Sequence, residues 1–234
     1  MGKRSVQLGI GTMTYYEPGT NKFAALGHGI LDIDTEELIN ISSGELVTSK
    51  ISTIVKGEQG IPGEIKGTII GGETIGNVSQ NTNFGIYGDI TNKTKISASK
   101  NNEIKVANRD DIKRGNAKIL LDLENGIREE YDIEITKIYR NNNSNNKSML
   151  IKVTDKRLLD LTGGIIQGMS GAPIIQDGKF IGAITHVLVN DPTTGYAVFG
   201  DLMIKQSRKI NWYKREQTTF VSSMSQKELF CHNI

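Results

Sequence analysis

The residues best suited to chemistry lie in Gly164-Ile-Ile-Gln-Gly168-Met169-Ser170-Gly171-Ala172-Pro173. A serine hydroxyl is a poor nucleophile at neutral pH. It needs a base to take its proton and donors to hold the oxyanion that follows attack. Glycines around Ser170 let the backbone turn sharply and leave room for a carbonyl group. In such a turn the N–H groups of Gly168 and Ser170 converge on one point, as an oxyanion hole requires. The chemistry indicated is acyl transfer. A Gly/Ser hairpin loop without chemistry gives a similar string. Pro173 and the strand–Asp177-Gly178–strand pattern that follow weigh towards a nucleophile.

Scarcity narrows the base. The chain has three histidines, His28, His186 and His232. His232 falls in a patternless C-terminal stretch and reads as a surface residue. His186 lies on the strand after the serine loop, where a satisfied core histidine is the simple reading. His28 ends an early hairpin, Phe23-Ala-Ala-Leu-Gly27-His28-Gly29, and is the best candidate for a general base. A triad also needs a carboxylate to fix the histidine tautomer. Asp32, Asp34, Asp122, Asp155 and Asp160 are all candidates, and physical reasoning alone does not rank them. Asp155 is equally an N-cap for a short helical turn. Three histidines and a single cysteine, Cys231 beside His232, do not make a usual zinc site. The expected chemistry therefore uses neither metal nor cofactor.

The elements that must position these groups read as strands. Gly9–Tyr16 and Lys22–Leu26 flank the Pro18-Gly19 turn, and Val47–Lys56 alternates polar and apolar residues. Glu58–Gly67 reads as a loop, with Thr68–Ile70, Glu73–Val78 and Phe84–Ile90 as separate strands. Asn125-Gly126 predicts a two-residue hairpin between Lys118–Glu124 and Ile127–Ile133, and Asp177-Gly178 predicts another between Pro173–Gln176 and Phe180–Val189. Asn141–Asn146 reads as an exposed loop and Ser148–Thr154 as a strand. Helical segments are expected only after Asp155 and over Asp201–Ile210. The reading is one all-β domain over residues 1–217, with 218–234 as a C-terminal tail.

Gly-Met-Ser-Gly-Ala-Pro resembles the Gly-x-Ser-Gly-x-Pro signature of trypsin-like peptidases, which implies a double β-barrel. In that fold the strand carrying Thr185 and His186 borders the substrate pocket. A narrower resemblance rests on Gly9-Ile-Gly-Thr-Met-Thr-Tyr-Tyr-Glu-Pro18, Ala-Leu-Gly-His28-Gly-Ile, Thr162-Gly-Gly-Ile-Ile-Gln-Gly-Met-Ser-Gly-Ala-Pro-Ile-Ile175, Ile181-Gly-Ala-Ile-Thr-His-Val187 and Asn190-Asp-Pro-Thr-Thr-Gly-Tyr196. These resemble the peptidase domain of the stage IV sporulation protein B family, from about Gly9 to Met203. The resemblance implies a His28–Asp155–Ser170 triad, with Asp155 only 15 residues before the serine. It also implies a sporulation signalling protease that cleaves itself and a membrane-bound regulator, leading to processing of a late mother-cell sigma factor. The implied location is the space between the forespore and mother-cell membranes. Full-length members carry an N-terminal membrane segment and a PDZ domain. Neither is evident here, so the chain reads as the peptidase domain alone.

Composition fits this reading. The 28 basic and 26 acidic side chains nearly balance, which argues against a nucleic-acid scaffold. No stretch approaches the roughly 18 apolar residues of a membrane helix, and Met1-Gly2-Lys3-Arg4 runs directly into strand-like sequence. A lone cysteine makes no internal disulfide. The competing reading is a β-barrel that binds peptides at a sheet edge without cutting them. A structural spore protein finds little support in the glycine loop or the near-neutral charge.

Overall fold

The computed structural model describes residues 6–41, 43–95, 103–124, 126–141, 145–209, 220–222 and 227–233. The expected all-β, two-barrel architecture is found. The first unit contains β1 (Val6–Glu17), β2 (Lys22–Ala25), β3 (Ser43–Val55), β4 (Glu64–Thr82) and β5 (Gly85–Ile90). These pair as β1–β2–β5–β4–β3, a half-barrel. The gap between β1 and β3 is spanned by β14 (Lys227–Asn233), antiparallel to both.

The second unit is a closed ring. It contains β7 (Gly115–Leu121), β8 (Glu129–Ile138), β9 (Met149–Val153), β10 (Pro173–Gln176), β11 (Lys179–Leu188) and β12 (Asp191–Phe199). They pair in the order β7–β8–β9–β12–β11–β10, and β10 returns to β7. β6 (Glu103–Val106) and β13 (Phe220–Ser222) tie the units together: β6 pairs with β11 and β13, and β13 with β1. α1 (Lys156–Thr162) precedes the serine loop, and α2 (Gly200–Lys209) packs beside β11 and β12. Arg109 fastens α2 by donating to both carboxylate oxygens of Asp201 at 2.9 Å, with its guanidinium over the Phe199 ring.

β1 from Gly11 to Tyr16 and β2 from Phe23 to Ala25 are buried on both faces, as strands between two packed layers are. Met13, Tyr16, Phe23 and Ala25 fill the interior of the first unit with Leu46, Ile75 and Ile86. Tyr15 and Ala24 face the other way, into the core of the second barrel with Ile119, Ile151, Phe180 and Ala197. A bulge between Met13 and Tyr15 accompanies this change of face. Tyr15 meets Phe180 edge-on, with centroids 6.0 Å apart, so this pair crosses the junction between the barrels.

Several sequence expectations need adjustment. The two strands expected over Thr68–Ile70 and Glu73–Val78 are one strand, β4, starting at Glu64. The Asn125-Gly126 hairpin is wider than two residues, since β7 ends at Leu121 and β8 begins at Glu129; Leu123 turns into the core instead of pairing. Asn125 itself and residues 142–144 of the Asn141–Asn146 loop lie outside the described residues. β12 is not predicted by the sequence pattern because Asp191, Pro192 and Gly195 interrupt it. The stretch expected to be a patternless tail carries β13 and β14, the latter paired over its full length. The Asp177-Gly178 turn has both residues at positive φ, 50° and 70°, as a two-residue hairpin demands.

Because Phe180 is 1 % exposed and joins the two cores, Phe180→Ala is expected to cost about 3–5 kcal/mol by chemical denaturation. A loss below about 1 kcal/mol would mean that the junction is not a shared core.

Candidate active site

A cleft of about 730 Å³ opens between the two units. Its lining includes His28, Gly168, Ser170 and His186, together with Asn83, Lys147 and Gln167. Apolar contributions come from Ile10, Leu26, Ile30 and Leu31. Ser170 and His28, chosen from sequence as nucleophile and base, therefore share one cavity. No aspartate or glutamate is among its lining residues.

The serine turn is held from both sides. Thr12 of β1 donates its N–H to the Ser170 carbonyl at 2.9 Å and its hydroxyl to the Gly168 carbonyl at 3.1 Å. On the other side, the Gly171 N–H donates to the Ile184 carbonyl of β11 at 2.8 Å. Gly171 has φ +92°, and a Cβ there would collide with the Thr12 carbonyl and the Leu26 backbone. Only glycine fits this crossing. Met169, Gly171 and Ala172 all spend their N–H groups on backbone carbonyls. Among the described backbone bonds, the N–H groups of Gly168 and Ser170 do not. These are the two donors expected to bind an oxyanion.

His28 follows two consecutive residues at positive φ, Leu26 at 69° and Gly27 at 70°. A left-handed leucine is strained, and such strain concentrates at functional sites. Gly27 lies against Thr185, Val198 and the Ile184 carbonyl, so the turn rests directly on the second barrel. After the histidine, Asn81 of β4 accepts from the Ile30 N–H at 2.8 Å and donates to the Ile30 and Ile39 carbonyls. This clamp was not singled out in the sequence, where Asn81 is one of many asparagines.

The His28 Nδ1 lies 2.8 Å from the Gly29 carbonyl. A carbonyl only accepts, so Nδ1 carries the hydrogen and Nε2 keeps the lone pair, as a general base requires. Burial pushes the His28 pKa down, with the Gly29 bond opposing. The Ser170 hydroxyl donates to the Thr185 carbonyl at 3.1 Å. Reaction therefore needs a rotation of the serine side chain to release this bond and face His28.

The two expected pocket residues play different parts. His186 lines the cleft, with its ring 5.1 Å from that of His28 and inclined by 38°. Its pKa is pushed down to about 4, first by burial, then by His28 and Lys147. Thr185 is not on the wall: it is buried, and its hydroxyl donates to the Asn146 carbonyl at 3.1 Å. Of the other candidate acids, Asp32 caps an exposed turn by accepting from the Asp34 and Thr35 N–H groups. His232 and Cys231 sit on β14, opposite Gln7 and Leu8 of β1, and neither is among the lining residues.

The profile of the SpoIVB peptidase S55 family matches residues 3–204. No curated protein matches the sequence. Among solved structures, the active form of the Rv3671c protease from M. tuberculosis is similar at 14 % identity and TM-score 0.43, over 93 % of this chain and 85 % of that one. An inactive serine-to-alanine form of Rv3671c gives 12 % and 0.43, over 75 % and 89 %. The HtrA-type protease AlgW, with a tripeptide, gives 13 % and 0.41, over 73 % and 60 %.

The resemblance made Asp155 the acid that orients His28; among the described contacts its partners are Arg157 and Asp132, and none joins it to the histidine. Asp155 caps α1 by accepting from the Arg157 N–H at 2.9 Å. It also accepts from the Asp132 N–H at 3.2 Å and pairs with the Arg157 guanidinium at 3.0 Å. The adjacent Arg157 guanidinium, and then the backbone N–H groups, hold its pKa below the ordinary 3.8. Its lone pairs are thus committed at the far end of β9. Asp155→Ala is expected to lower stability by about 1–2 kcal/mol through loss of the cap. A lowered folded-state pKa means this contribution is present above the ordinary value and lost as pH falls through the folded one. The gap in melting temperature from the wild type should therefore narrow in acid; no gap at neutral pH would contradict the capping role.

Proposed function

Because the chain belongs to the SpoIVB peptidase S55 family and is a serine peptidase, we propose that Ser170 is its nucleophile, His28 its general base, and Gly168 and Ser170 its oxyanion donors. The observation that carries this reading is that Ser170 and His28 line one cleft, with both donor N–H groups uncommitted among the described bonds. The substrate is a protein or peptide. His28 Nε2 takes the Ser170 proton as Oγ attacks the scissile carbonyl. The resulting imidazolium protonates the leaving amine, and water then releases the acyl group by the reverse sequence. The same family membership supports a finer role in sporulation signalling. In that role the substrates are a segment of its own chain and a membrane-bound regulator, cut between the forespore and mother-cell membranes to license processing of a late sigma factor.

The purified chain should react with a fluorophosphonate at Ser170, and Ser170→Ala should abolish the label. Peptide turnover by His28→Ala should fall by about ten-thousand-fold or more. Unlabelled, folded wild-type protein would favour a peptide-binding barrel without catalysis. Burial lowers the His28 pKa, and the base must be neutral, so the acid limb of kcat/KM should lie below the ordinary histidine value of 6.5. A limb above that value would exclude a buried, neutral His28 as the base.

A further inference from the structure

A base that has taken a proton needs a neighbour that holds its ring and accepts from its second N–H. Among the described residues lining this cleft there is no carboxylate, and Asp155 is committed to Arg157 and α1. The resting partner of His28 Nδ1 is the carbonyl of its own neighbour, Gly29. The other ring in contact is His186, 5.1 Å away between centroids. His186 Nδ1 is buried and has no hydrogen-bond partner among the described residues. Buried polar atoms normally find partners, and one left open beside a reacting group calls for an occupant. The placement on β11 adds a second link. Thr185 accepts from the Ser170 hydroxyl through its carbonyl, and the next residue packs on the base. One dipeptide therefore touches both reacting groups.

We propose that His186 is the positioning residue for His28, a neutral imidazole whose Nδ1 accepts the hydrogen bond of the His28 imidazolium in the place a carboxylate takes in a triad. The inference rests on the reading of Ser170 and His28 given above. At rest, His28 donates Nδ1–H to the Gly29 carbonyl. When Nε2 receives the Ser170 proton, the ring turns and Nδ1–H passes from Gly29 to the open His186 nitrogen. No proton leaves His28 in this exchange: Nδ1–H remains covalently bound, and the Nε2 proton goes on to the leaving amine. His186 keeps its own hydrogen on Nε2 throughout. This requires a neutral His186. The charged and titratable groups acting on it are His28 and Lys147, both of which disfavour its protonation, as does burial.

The test combines turnover with a readout that does not need activity. In the wild-type chain, histidine nitrogen NMR should show His186 Nδ1 unprotonated, with its shift moving as His28 titrates. In His186→Phe, which keeps a ring but removes the nitrogens, the His28 titration should change. Turnover should fall on the order of a hundredfold in kcat with KM nearly constant. His186→Gln, which retains an acceptor, should recover part of that loss and covers the case in which the phenylalanine variant does not fold. A protonated His186 Nδ1, or an unchanged His28 titration in His186→Phe, overturns the proposal whether or not the chain cleaves peptides. Wild-type kcat in His186→Phe overturns it as well. Failure of the peptidase reading would appear separately, as equal labelling of the wild type and Ser170→Ala.

Discussion

The geometry of the cleft depends on one close approach, that of Gly171 to Thr12 and Leu26. Gly171 follows Ser170, and Leu26 comes two residues before His28. Their backbones lie so close that a single added methyl group would collide. The Thr12 carbonyl accepts the Leu26 N–H at 3.2 Å on one side and abuts Gly171 on the other. Ser170 and His28 are thus fixed relative to each other by the backbone, before any side-chain contact between them. The positive φ of Leu26 is a consequence: the chain must leave β2 abruptly to clear the serine turn and still present His28 to the cleft.

The second governing feature is charge. A triad with a carboxylate raises the basicity of its histidine. Here both imidazoles are buried enough to have lowered pKa values, and no acid is among the described residues lining the cleft. A less basic histidine is a weaker base but stays unprotonated further into acid. Two imidazoles 5.1 Å apart also do not readily share two positive charges, and Lys147 adds a third repulsive group. A proton on one ring therefore disfavours a second on the other, and His186 is held down to about 4 by burial, His28 and Lys147.

Much of this was legible in the sequence. Glycine spacing around Ser170, the rarity of histidine and the Asp-Gly turn each have a local physical cause, so they could be read locally. What could not be read is set by distant contacts. Asn81 matters because β4 brings it beside the chain after His28, and nothing in its neighbours signals this. Thr185 lies on the predicted strand, but the strand's pleat turns its hydroxyl to Asn146 and only its carbonyl to the serine. Leu123 spoiled a strong turn signal because core burial outweighed a two-residue hairpin. Asp155 shows the converse: its local reading as an N-cap is the one the structure bears, while the role implied by family resemblance finds no contact with His28.

The chain's last strands complete the frame. β14 inserts between β1 and β3 and pairs with β1 from Val6 to Thr12, the residue that grips the serine turn. β13 joins β1 to β6, and β6 in turn runs beside β11, the strand of Thr185 and His186. The β1 side of the cleft is therefore backed by strands that follow the family match at residues 3–204. A half-barrel with an open β1 edge would leave Thr12 on an unsupported strand, with unpaired N–H and C=O groups along it. Pairing to β14 removes that freedom. The position of Ser170 thus depends on strand pairing more than 50 residues later in the chain, through Thr12, and not only on the glycine loop that contains it.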